Sequence, residues 1–389
     1  MLCDVQLANR QFIDLEGAKP RLPDNEAAHS HAADRQRTNS DCPDCRGAQR
    51  ERQEVAGHGK TFELPCDFAP HVGHPYAPHW TGWPALVSNR SRDCEHSMNI
   101  RPGGGALGAT IEDIDLCQPL SQSDFKQILR ALGAYGVLCF PRQQLGAEEL
   151  ARFGRMFGEL EINVANQFHE PDHPEVMILS NVKKDGKPTG LADAGQGWHT
   201  DLSYSRDIAL GSILHAVKVP MHGGRPLGDT QFRNMHLAYE QLPAEIKRRL
   251  AGRTATHDFA KFWDMMRSRP GSQRAALTAQ QRAKKPPVSQ PIFRTHPITG
   301  RTILYCNPGY AVRIDGMEEP ESRDLLAFLF AHQEQKRFLH AHRWSQGDVL
   351  MWDNIGTVHN AVADYGPDEP RYMRRVQVMA TKDYASLAA

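Results

Sequence analysis

The chain lacks the features that mark membrane proteins, secreted proteins and general nucleic-acid binders. Its 46 basic and 46 acidic residues cancel, whereas a general nucleic-acid binder carries a strong basic bias. No apolar run approaches the roughly 20 residues that span a bilayer. The first residues also lack the basic-then-apolar pattern of a secretory signal. We therefore predict a cytoplasmic protein with neither a membrane nor a nucleic-acid partner.

Apolar residues are scarce in the first quarter of the chain. Leu, Ile, Val and Phe account for 14 of residues 1–97, about 14%, and a share below roughly 20% marks a poor capacity to form a core. Such a segment buries too little apolar surface to offset the entropy that ordering costs. We expect residues 1–97 to be a poorly structured extension and residues 98–389 to form one domain. Our hypothesis for the extension is a misassigned start, with the native protein beginning at Met98.

Cysteine provides no complete metal or disulfide framework. Five of the eight cysteines lie in residues 1–97, where Cys42 and Cys45 form a CxxC pair. Zinc ribbons and fingers need a second pair of ligands, and disulfide frameworks belong to exported chains. A structural zinc site in this segment stays open as the lesser alternative.

The most informative motif is Trp-His-Thr-Asp at residues 198–201. On an extended strand, residues i and i+2 point to the same face, so His199 and Asp201 can reach one ion. A second histidine from a remote strand, His359, completes a set of two His and one carboxylate. This set leaves three positions open and suits a non-heme Fe(II) centre. The alternative is a buried, hydrogen-bonded His beside a surface Asp.

Two arginines follow the second histidine at a spacing that favours anion binding. Residues 347–354 have the pattern of a turn, a buried strand and a polar turn, and His359 comes soon after. Arg371 and Arg375 flank Met373 in alternation, so one strand can direct both guanidinium groups to one side. A guanidinium matches a carboxylate as a rigid fork. A surface ion pair is the alternative for each arginine taken alone.

Together these residues resemble the taurine dioxygenase/TfdA-type Fe(II)- and 2-oxoglutarate-dependent dioxygenases. The resemblance covers about residues 98–385. Besides the two arginines, the ordered blocks that carry it are residues 108–121, 136–143, 155–160, 198–201, 228–230, 294–300 and 351–354. It implies a double-stranded β-helix fold, a co-substrate that loses CO2 to become succinate, and consumption of O2.

The resemblance also implies roles for individual side chains. Fe(II) is expected to bind three of them: His199, Asp201 and His359. The far carboxylate of 2-oxoglutarate is expected to bind Arg371 with help from the Thr230 hydroxyl, and Arg375 is expected nearby. Trp198 and Trp352 are expected to pack beside the metal. No catalytic side chain is needed beyond the metal ligands.

The substrate is predicted only as a class. Taurine enzymes of the family have a histidine at the position of Asn163, which argues against taurine here. Further pocket residues predicted from the resemblance are Leu202, Trp263 and Tyr310, for which ordinary core packing is the alternative. We predict hydroxylation, with or without cleavage, of a small organic acid such as a sulfonate, an aryloxy acid or an amino-acid derivative.

Other functions remain open at this stage. Within the family, the reaction can instead be desaturation or oxidative decarboxylation. A zinc hydrolase can use the same His-Asp-His set but needs no co-substrate anchor. A non-catalytic metal-binding jelly-roll protein is the alternative from another class.

Many short strands, with helices gathered early and in one insertion, favour a mixed β fold with helices. We predict a jelly-roll, cupin-like core with flanking helices. Residues 260–290 are polar, basic and interrupted by Pro and Gly, and long inserted loops are often lids. We predict that this segment is a lid and that the protein is a homo-oligomer.

Overall fold

The structure is a computed structural model, and it describes residues 98–163, 168–269, 272 and 274–389. The predicted extension at residues 1–97 and its alternative zinc site lie outside the described residues. No helix in the described part of the chain is long and apolar enough to cross a membrane.

Strands are the most numerous elements of the described chain. In chain order they are β1 (Asn99–Pro102), β2 (Ala109–Glu112), β3 (Val137–Phe140), β4 (His169–Glu170), β5 (His173–Ser180), β6 (Lys183–Lys184), β7 (Lys187–Pro188), β8 (Ala209–Lys218), β9 (Met221–His222), β10 (Arg225–Pro226), β11 (Thr230–Asn234), β12 (Thr254–His257), β13 (Val288–Pro291), β14 (Phe293–Thr295), β15 (Thr302–Leu304), β16 (Ala311–Ile314), β17 (Leu339–His342), β18 (Val349–Asp353), β19 (Thr357–Ala361) and β20 (Tyr372–Met379).

The helices lie mostly outside the long strands. They are α1 (Gln122–Tyr135), α2 (Ala147–Phe157), α3 (Met235–Glu240), α4 (Ala244–Leu250), α5 (Phe259–Arg267), α6 (Ala279–Lys284), α7 (Glu319–Gln333) and α8 (Tyr384–Ala388), with a 3-10 turn at Lys336–Phe338. The chain is therefore of mixed α and β structure, as predicted.

The largest sheet has eight strands in the order β1-β2-β3-β18-β8-β20-β5-β4. Its neighbours pair antiparallel except β2 and β3, which are parallel. Two further sheets have three strands each, in the orders β17-β11-β19 and β13-β12-β16.

The sheet β17-β11-β19 packs against the large sheet through buried apolar side chains. One cluster contains Phe232 of β11, Trp352 of β18 and Met373 of β20, and the Phe232 and Trp352 ring centroids lie 5.6 Å apart. Burial of these side chains is the main stabilising contribution at this junction. The functional residues described below lie along the same junction.

The opposite face of the large sheet is covered by helices. Val376 and Val378 of β20 share a buried cluster with Phe153 and Phe157 of α2. Because side chains alternate along a strand, Arg375 is left to face the junction with the smaller sheet. One face of β20 thus packs in the core, and the other carries polar side chains such as Arg375.

Most elements with strong apolar patterning lie where the sequence predicts them. The apolar run at Val137–Phe140 predicts a buried strand, which β3 matches. The helical spacing of apolar residues in Ala147–Met156 predicts a helix, which α2 matches within one residue. Ser123 precedes apolar residues at helical spacing and predicts a helix cap there. That prediction is wrong, because α1 begins at Gln122 and the Ser121 side chain accepts a hydrogen bond from the Asp124 backbone. Within residues 260–290 the structure places most of α5, all of α6 and the start of β13.

Candidate active site

His199, Asp201 and His359 converge on one point at the junction of the sheets. The His199 Nε2 atom lies 3.4 Å from Asp201 Oδ1, and the His359 Nε2 atom lies 3.6 Å from Asp201 Oδ2. Two backbone hydrogen bonds of 3.0 and 2.8 Å join His199 to His359 of β19. All three side chains are buried. The sequence-predicted set is therefore brought together.

The local backbone differs from the predicted extended strand. His199 forms only a short antiparallel bridge with His359, and Asp201 begins a turn. Leu202, a predicted pocket residue, is buried directly after it and has a φ of +55°. This left-handed conformation is unfavourable for a residue with a branched side chain. The two ligand candidates thus meet through a turn that the surrounding structure must hold.

The Nε2 atoms of both histidines are directed at the Asp201 carboxylate. His199 Nδ1 lies 2.7 Å from the Gly197 carbonyl oxygen, which can only accept, so Nδ1 carries a proton and Nε2 is left as the metal-binding atom. Burial lowers the pKa of His359 to about 3, which keeps its ring neutral. Two imidazole Nε2 atoms and a carboxylate directed at one point fit a divalent cation.

Arg375 of β20 supports the charge of Asp201. Its Nη1 atom lies 3.5 Å from Asp201 Oδ2, and the Ser212 hydroxyl donates to the same oxygen at 3.2 Å. Burial alone raises the pKa of Asp201, but Arg375 and the two histidines outweigh it and hold the pKa well below its usual value. Asp201 is therefore a carboxylate, which is the form that binds metal.

Arg371, directly before β20, and Thr230, at the start of β11, lie buried at the same junction. Only 6% of Arg371 is exposed, and its Nε atom has no hydrogen-bond partner among the described residues. Burial lowers the pKa of Arg371, and Tyr365 partly offsets this effect. The Thr230 hydroxyl accepts a 3.1 Å hydrogen bond from the Trp344 indole. An incompletely paired buried guanidinium fits an organic carboxylate.

Aromatic side chains pack against the His199 ring. Tyr310 lies with its ring centroid 6.2 Å from that of His199. Phe262 of α5, which the sequence reasoning missed, lies closer at 4.7 Å. The neighbouring Trp263 donates to the Ala275 carbonyl at 2.8 Å. The available signal for Phe262 was its place beside Trp263 in an aromatic run of α5. The contact with His199 itself is tertiary.

Trp352 is the second residue predicted to pack beside the metal. It is buried, and its ring centroid lies 5.0 Å from that of His359. Trp198 packs against Arg233, whose guanidinium carbon lies 4.1 Å from the centroid of the Trp198 ring.

A polar pocket adjoins the site beside Arg375. Asn163, a predicted pocket residue, lines it together with Glu161, Met177 and Gln377. Burial raises the pKa of Glu161, although Arg375 opposes this shift. Arg375 thus borders both Asp201 and this pocket.

Two other groups of potential metal ligands occur among the described residues. In one, His296 Nε2 lies 2.9 Å from Asp353 Oδ2, with His236 alongside. The Thr299 backbone N–H donates to His296 Nδ1, so the proton of His296 lies on Nε2 and faces the carboxylate. This group therefore contains a close histidine–carboxylate pair. The other comprises Cys139, His342 and Asp348.

Comparison with known proteins identifies the family. The family model described as taurine catabolism dioxygenase TauD, TfdA family, matches residues 99–377. The chain belongs to the TauD/TfdA dioxygenase family. It is 34% identical over 294 residues to the alpha-ketoglutarate-dependent 2,4-dichlorophenoxyacetate dioxygenase of Cupriavidus pinatubonensis, across 73% of this chain and 98% of that protein.

Two further relatives of this TauD/TfdA dioxygenase agree with the assignment. Pentalenolactone F synthase of Streptomyces arenae is 32% identical over 286 residues, across 72% of this chain and 94% of that protein. The solved structure of AAD-2 in complex with Mn(II) and N-oxalylglycine has a TM-score of 0.62 at 29% identity. It covers 74% of this chain and 98% of the AAD-2 chain.

Family membership confirms the family resemblance, the enzyme class and the cofactors that the sequence predicts. The protein is a 2-oxoglutarate-dependent dioxygenase, and the family uses Fe(II), 2-oxoglutarate and O2. The centre at His199, Asp201 and His359 is accordingly the candidate for the iron.

Proposed function

We propose that His199, Asp201 and His359 bind Fe(II) in this enzyme. The observation that carries this proposal is the convergence of two imidazole Nε2 atoms, 3.4 and 3.6 Å from the oxygens of one buried carboxylate. A divalent cation between them would bind a lone pair from each imidazole and balance the carboxylate charge. Two His and one carboxylate form the facial triad of non-heme Fe(II) oxygenases.

Arg371 is the proposed anchor for the far carboxylate of 2-oxoglutarate, with the Thr230 hydroxyl as a further donor. The guanidinium is buried and its Nε atom lacks a partner among the described residues. A bidentate carboxylate would satisfy that donor and neutralise the charge. Bound Fe(II), together with 2-oxoglutarate and O2, supplies the oxidation that yields succinate, CO2 and a hydroxylated substrate. The protein side chains hold the reactants in register and exclude water.

The proposed substrate is a small organic acid held near Arg375. This guanidinium borders the pocket that Asn163 lines, while Phe262 and Tyr310 offer an apolar surface next to His199. The 2,4-dichlorophenoxyacetate dioxygenase relative acts, by its name, on an aryloxy acid. Leu202 and Trp263 remain predicted pocket residues.

The proposed architecture of the domain is a jelly roll. Support comes from the eight-stranded sheet and the sheet β17-β11-β19, whose facing side chains share one buried cluster. A jelly roll pairs two antiparallel sheets in this way. The proposed iron ligands lie between them. His359 is on β19, His199 forms the bridge to it, and Asp201 is in the turn that follows.

A substrate screen tests the proposed function. The purified chain is incubated with Fe(II), ascorbate, 2-oxoglutarate and a panel of sulfonates, aryloxy acids and amino-acid derivatives, and substrate-dependent succinate is measured. Product masses separate hydroxylation from desaturation and from oxidative decarboxylation. If no acid in a broad panel stimulates succinate formation while a neutral compound does, the organic-acid proposal is wrong.

Two adjacent arginines provide a matched control for the screen. Arg375→Ala should raise the KM for the acid that is found. Arg374→Ala should leave that KM nearly unchanged, because its side chain pairs with Glu170 at 2.6 Å and donates to the Leu145 carbonyl.

The homo-oligomer also remains a prediction, which light scattering of the full chain tests.

A further inference from the structure

Asn354 binds the backbone of the proposed iron ligand Asp201 with both ends of its side-chain amide. Its Oδ1 atom accepts from the Asp201 N–H at 3.0 Å, and its Nδ2 atom donates to the Asp201 carbonyl at 2.8 Å. The Asp201 N–H requires an acceptor, so the orientation of the amide is fixed. Asn354 is fully buried. One side chain thus satisfies both backbone polar groups of Asp201.

The position of Asn354 is itself fixed by the turn after β18. Its backbone N–H donates to the Leu210 carbonyl at 2.9 Å. The preceding Asp353 carboxylate accepts from the backbone N–H groups of Ile355 and Gly356, both at 3.0 Å. These bonds hold the turn in one conformation, so the amide is presented rigidly.

The backbone around Asp201 requires such support. Asp201 lies in a turn rather than in a strand ladder, and Leu202 next to it has a φ of +55°. A conformation of this kind persists only where its surroundings impose it, and the cost is of order 1–3 kcal/mol. The Asn354 amide supplies hydrogen bonds to Asp201 that a strand partner would otherwise supply.

A second asparagine holds the backbone of Arg371 in a similar way. Asn181 Oδ1 accepts from the Arg371 N–H at 2.8 Å. Its Nδ2 atom donates to the carbonyls of Gly366 and Glu369 at 3.0 and 3.1 Å, both in the loop that leads to Arg371. The Ser180 hydroxyl donates to the Arg371 carbonyl at 2.8 Å.

We propose that Asn354 and Asn181 are positioning residues, each for a different half of the active site. Asn354 orients Asp201 toward the metal, and Asn181 orients Arg371 toward the far carboxylate of 2-oxoglutarate. This inference rests on the proposed roles of Asp201 and Arg371. It requires that the two halves can be weakened separately.

Binding of Mn(II) and of 2-oxoglutarate to the full chain, measured by anaerobic calorimetry, tests the inference. Asn354→Ala should raise the Kd for Mn(II) about 10- to 100-fold, the range for loss of a group that orients a metal ligand. Its Kd for 2-oxoglutarate, measured at saturating Mn(II), should change less than about threefold. Asn181→Ala should show the converse, with a rise of about fivefold for 2-oxoglutarate, equivalent to one lost hydrogen bond.

Isosteric variants separate positioning from packing and replace any alanine variant that does not fold. Asn354→Asp keeps the acceptor for the Asp201 N–H but loses the donor to its carbonyl, so Mn(II) binding should still weaken. Asn181→Asp keeps the bond to the Arg371 N–H and should recover part of the 2-oxoglutarate affinity lost in Asn181→Ala. A purely structural role would move both binding constants together.

Reference variants distinguish failure of the inference from failure of the proposed function. If Asp201→Ala abolishes Mn(II) binding while both Asn354 variants bind normally, Asn354 is not a positioning residue and the iron site stands. Likewise, if Arg371→Ala weakens 2-oxoglutarate binding while both Asn181 variants bind it normally, Asn181 is not a positioning residue and the Arg371 anchor stands. If Asp201→Ala itself binds Mn(II) normally, the proposed iron site is wrong and the role of Asn354 is overturned with it.

Discussion

At the scale of single residues, the site is defined by charges that the protein buries without fully pairing them. Asp201 stays ionised because Arg375 and two histidines outweigh the cost of burial. Arg371 remains cationic, although burial lowers its pKa. Buried charges of this kind are costly unless a counter-ion is present. Fe(II) at one and a carboxylate at the other would provide those counter-ions.

Alanine at any one of the three proposed iron ligands (His199, Asp201 or His359) should leave a folded protein with little or no coupled turnover. Each change removes one of three protein bonds to iron. Metal content after desalting and succinate formation measure the effect. His332→Ala, which changes another buried histidine, should retain metal and activity. Near-normal iron binding in His359→Ala would contradict the ligand set.

Arg371→Ala should raise the 2-oxoglutarate requirement at least about tenfold, because charged hydrogen bonds contribute roughly 1.5–3 kcal/mol. Metal binding should be spared. Arg371→Lys should recover only part of the loss, since an ammonium group lacks the planar fork. The KM for 2-oxoglutarate in each variant provides the measurement. An unchanged KM in Arg371→Ala would show that another cation anchors 2-oxoglutarate, and Arg375 is the first candidate.

Residue-scale prediction from the sequence succeeds where spacing carries the signal. His199 and Asp201 are two residues apart, and the family blocks indicate the remote His359. Asn354 lies within a motif that the sequence displays, but its bonds to Asp201 span 153 positions. No local spacing reports such a contact, so its role emerges only from the folded chain.

At the scale of elements, the segment at residues 260–290 connects the aromatic cover of the site to the loop before His199. Arg274 forms a two-pronged ion pair with Asp193 at 2.7 and 2.9 Å. Phe262, on the part of α5 that lies within this segment, contacts the His199 ring. Movement of this segment would therefore uncover His199 directly, and the lid remains our prediction.

Limited trypsin digestion tests the lid. Potential cleavage sites are Lys261, Arg267, Arg274, Arg282 and Lys284, whereas Lys285 precedes Pro286 and resists trypsin. Cleavage at these sites should slow when Fe(II), 2-oxoglutarate and a turned-over substrate are added without oxygen, because closure would protect the backbone. Asp193→Ala should speed cleavage of the free protein, since Arg274 loses its partner. Equal cleavage rates with and without ligands would rule out the lid.

Helix α3 buries a histidine that should make folding sensitive to acid. Burial, with His296 nearby, lowers the pKa of His236 from its ordinary 6.5 to about 3. The folded form is neutral, so below pH 6.5 the unfolded chain binds protons more readily and stability falls as the pH drops toward 3. At pH 5.5 this loss is about 1 kcal/mol relative to pH 7.5.

Urea denaturation at pH 7.5 and 5.5 measures the effect of His236. His236→Leu should lose about 1 kcal/mol less stability than the wild type between these two pH values. The difference between the two proteins cancels contributions from other groups. Identical pH dependence in both would show that His236 does not remain neutral in the folded state.

At the scale of the whole molecule, strong apolar periodicity is what makes an element predictable. The helix α2 and the strand β3 carry such patterns. So do Leu210–Val219 and residues 372–379, which predict strands and lie within one residue of β8 and β20. The strand β12 reads Thr-Ala-Thr-His and was missed. Its burial comes from pairing with β13 and β16 on either side. Propensity reports such tertiary pairing poorly.

The central claim is that this chain couples oxidation of an organic acid to decarboxylation of 2-oxoglutarate at an iron held by His199, Asp201 and His359. Succinate formed by the purified chain, with and without Fe(II) and with His359→Ala alongside, is the most direct measurement. We predict substrate-stimulated succinate that requires Fe(II) and O2 and is lost in the variant. Equal succinate formation by wild type and His359→Ala would contradict the account.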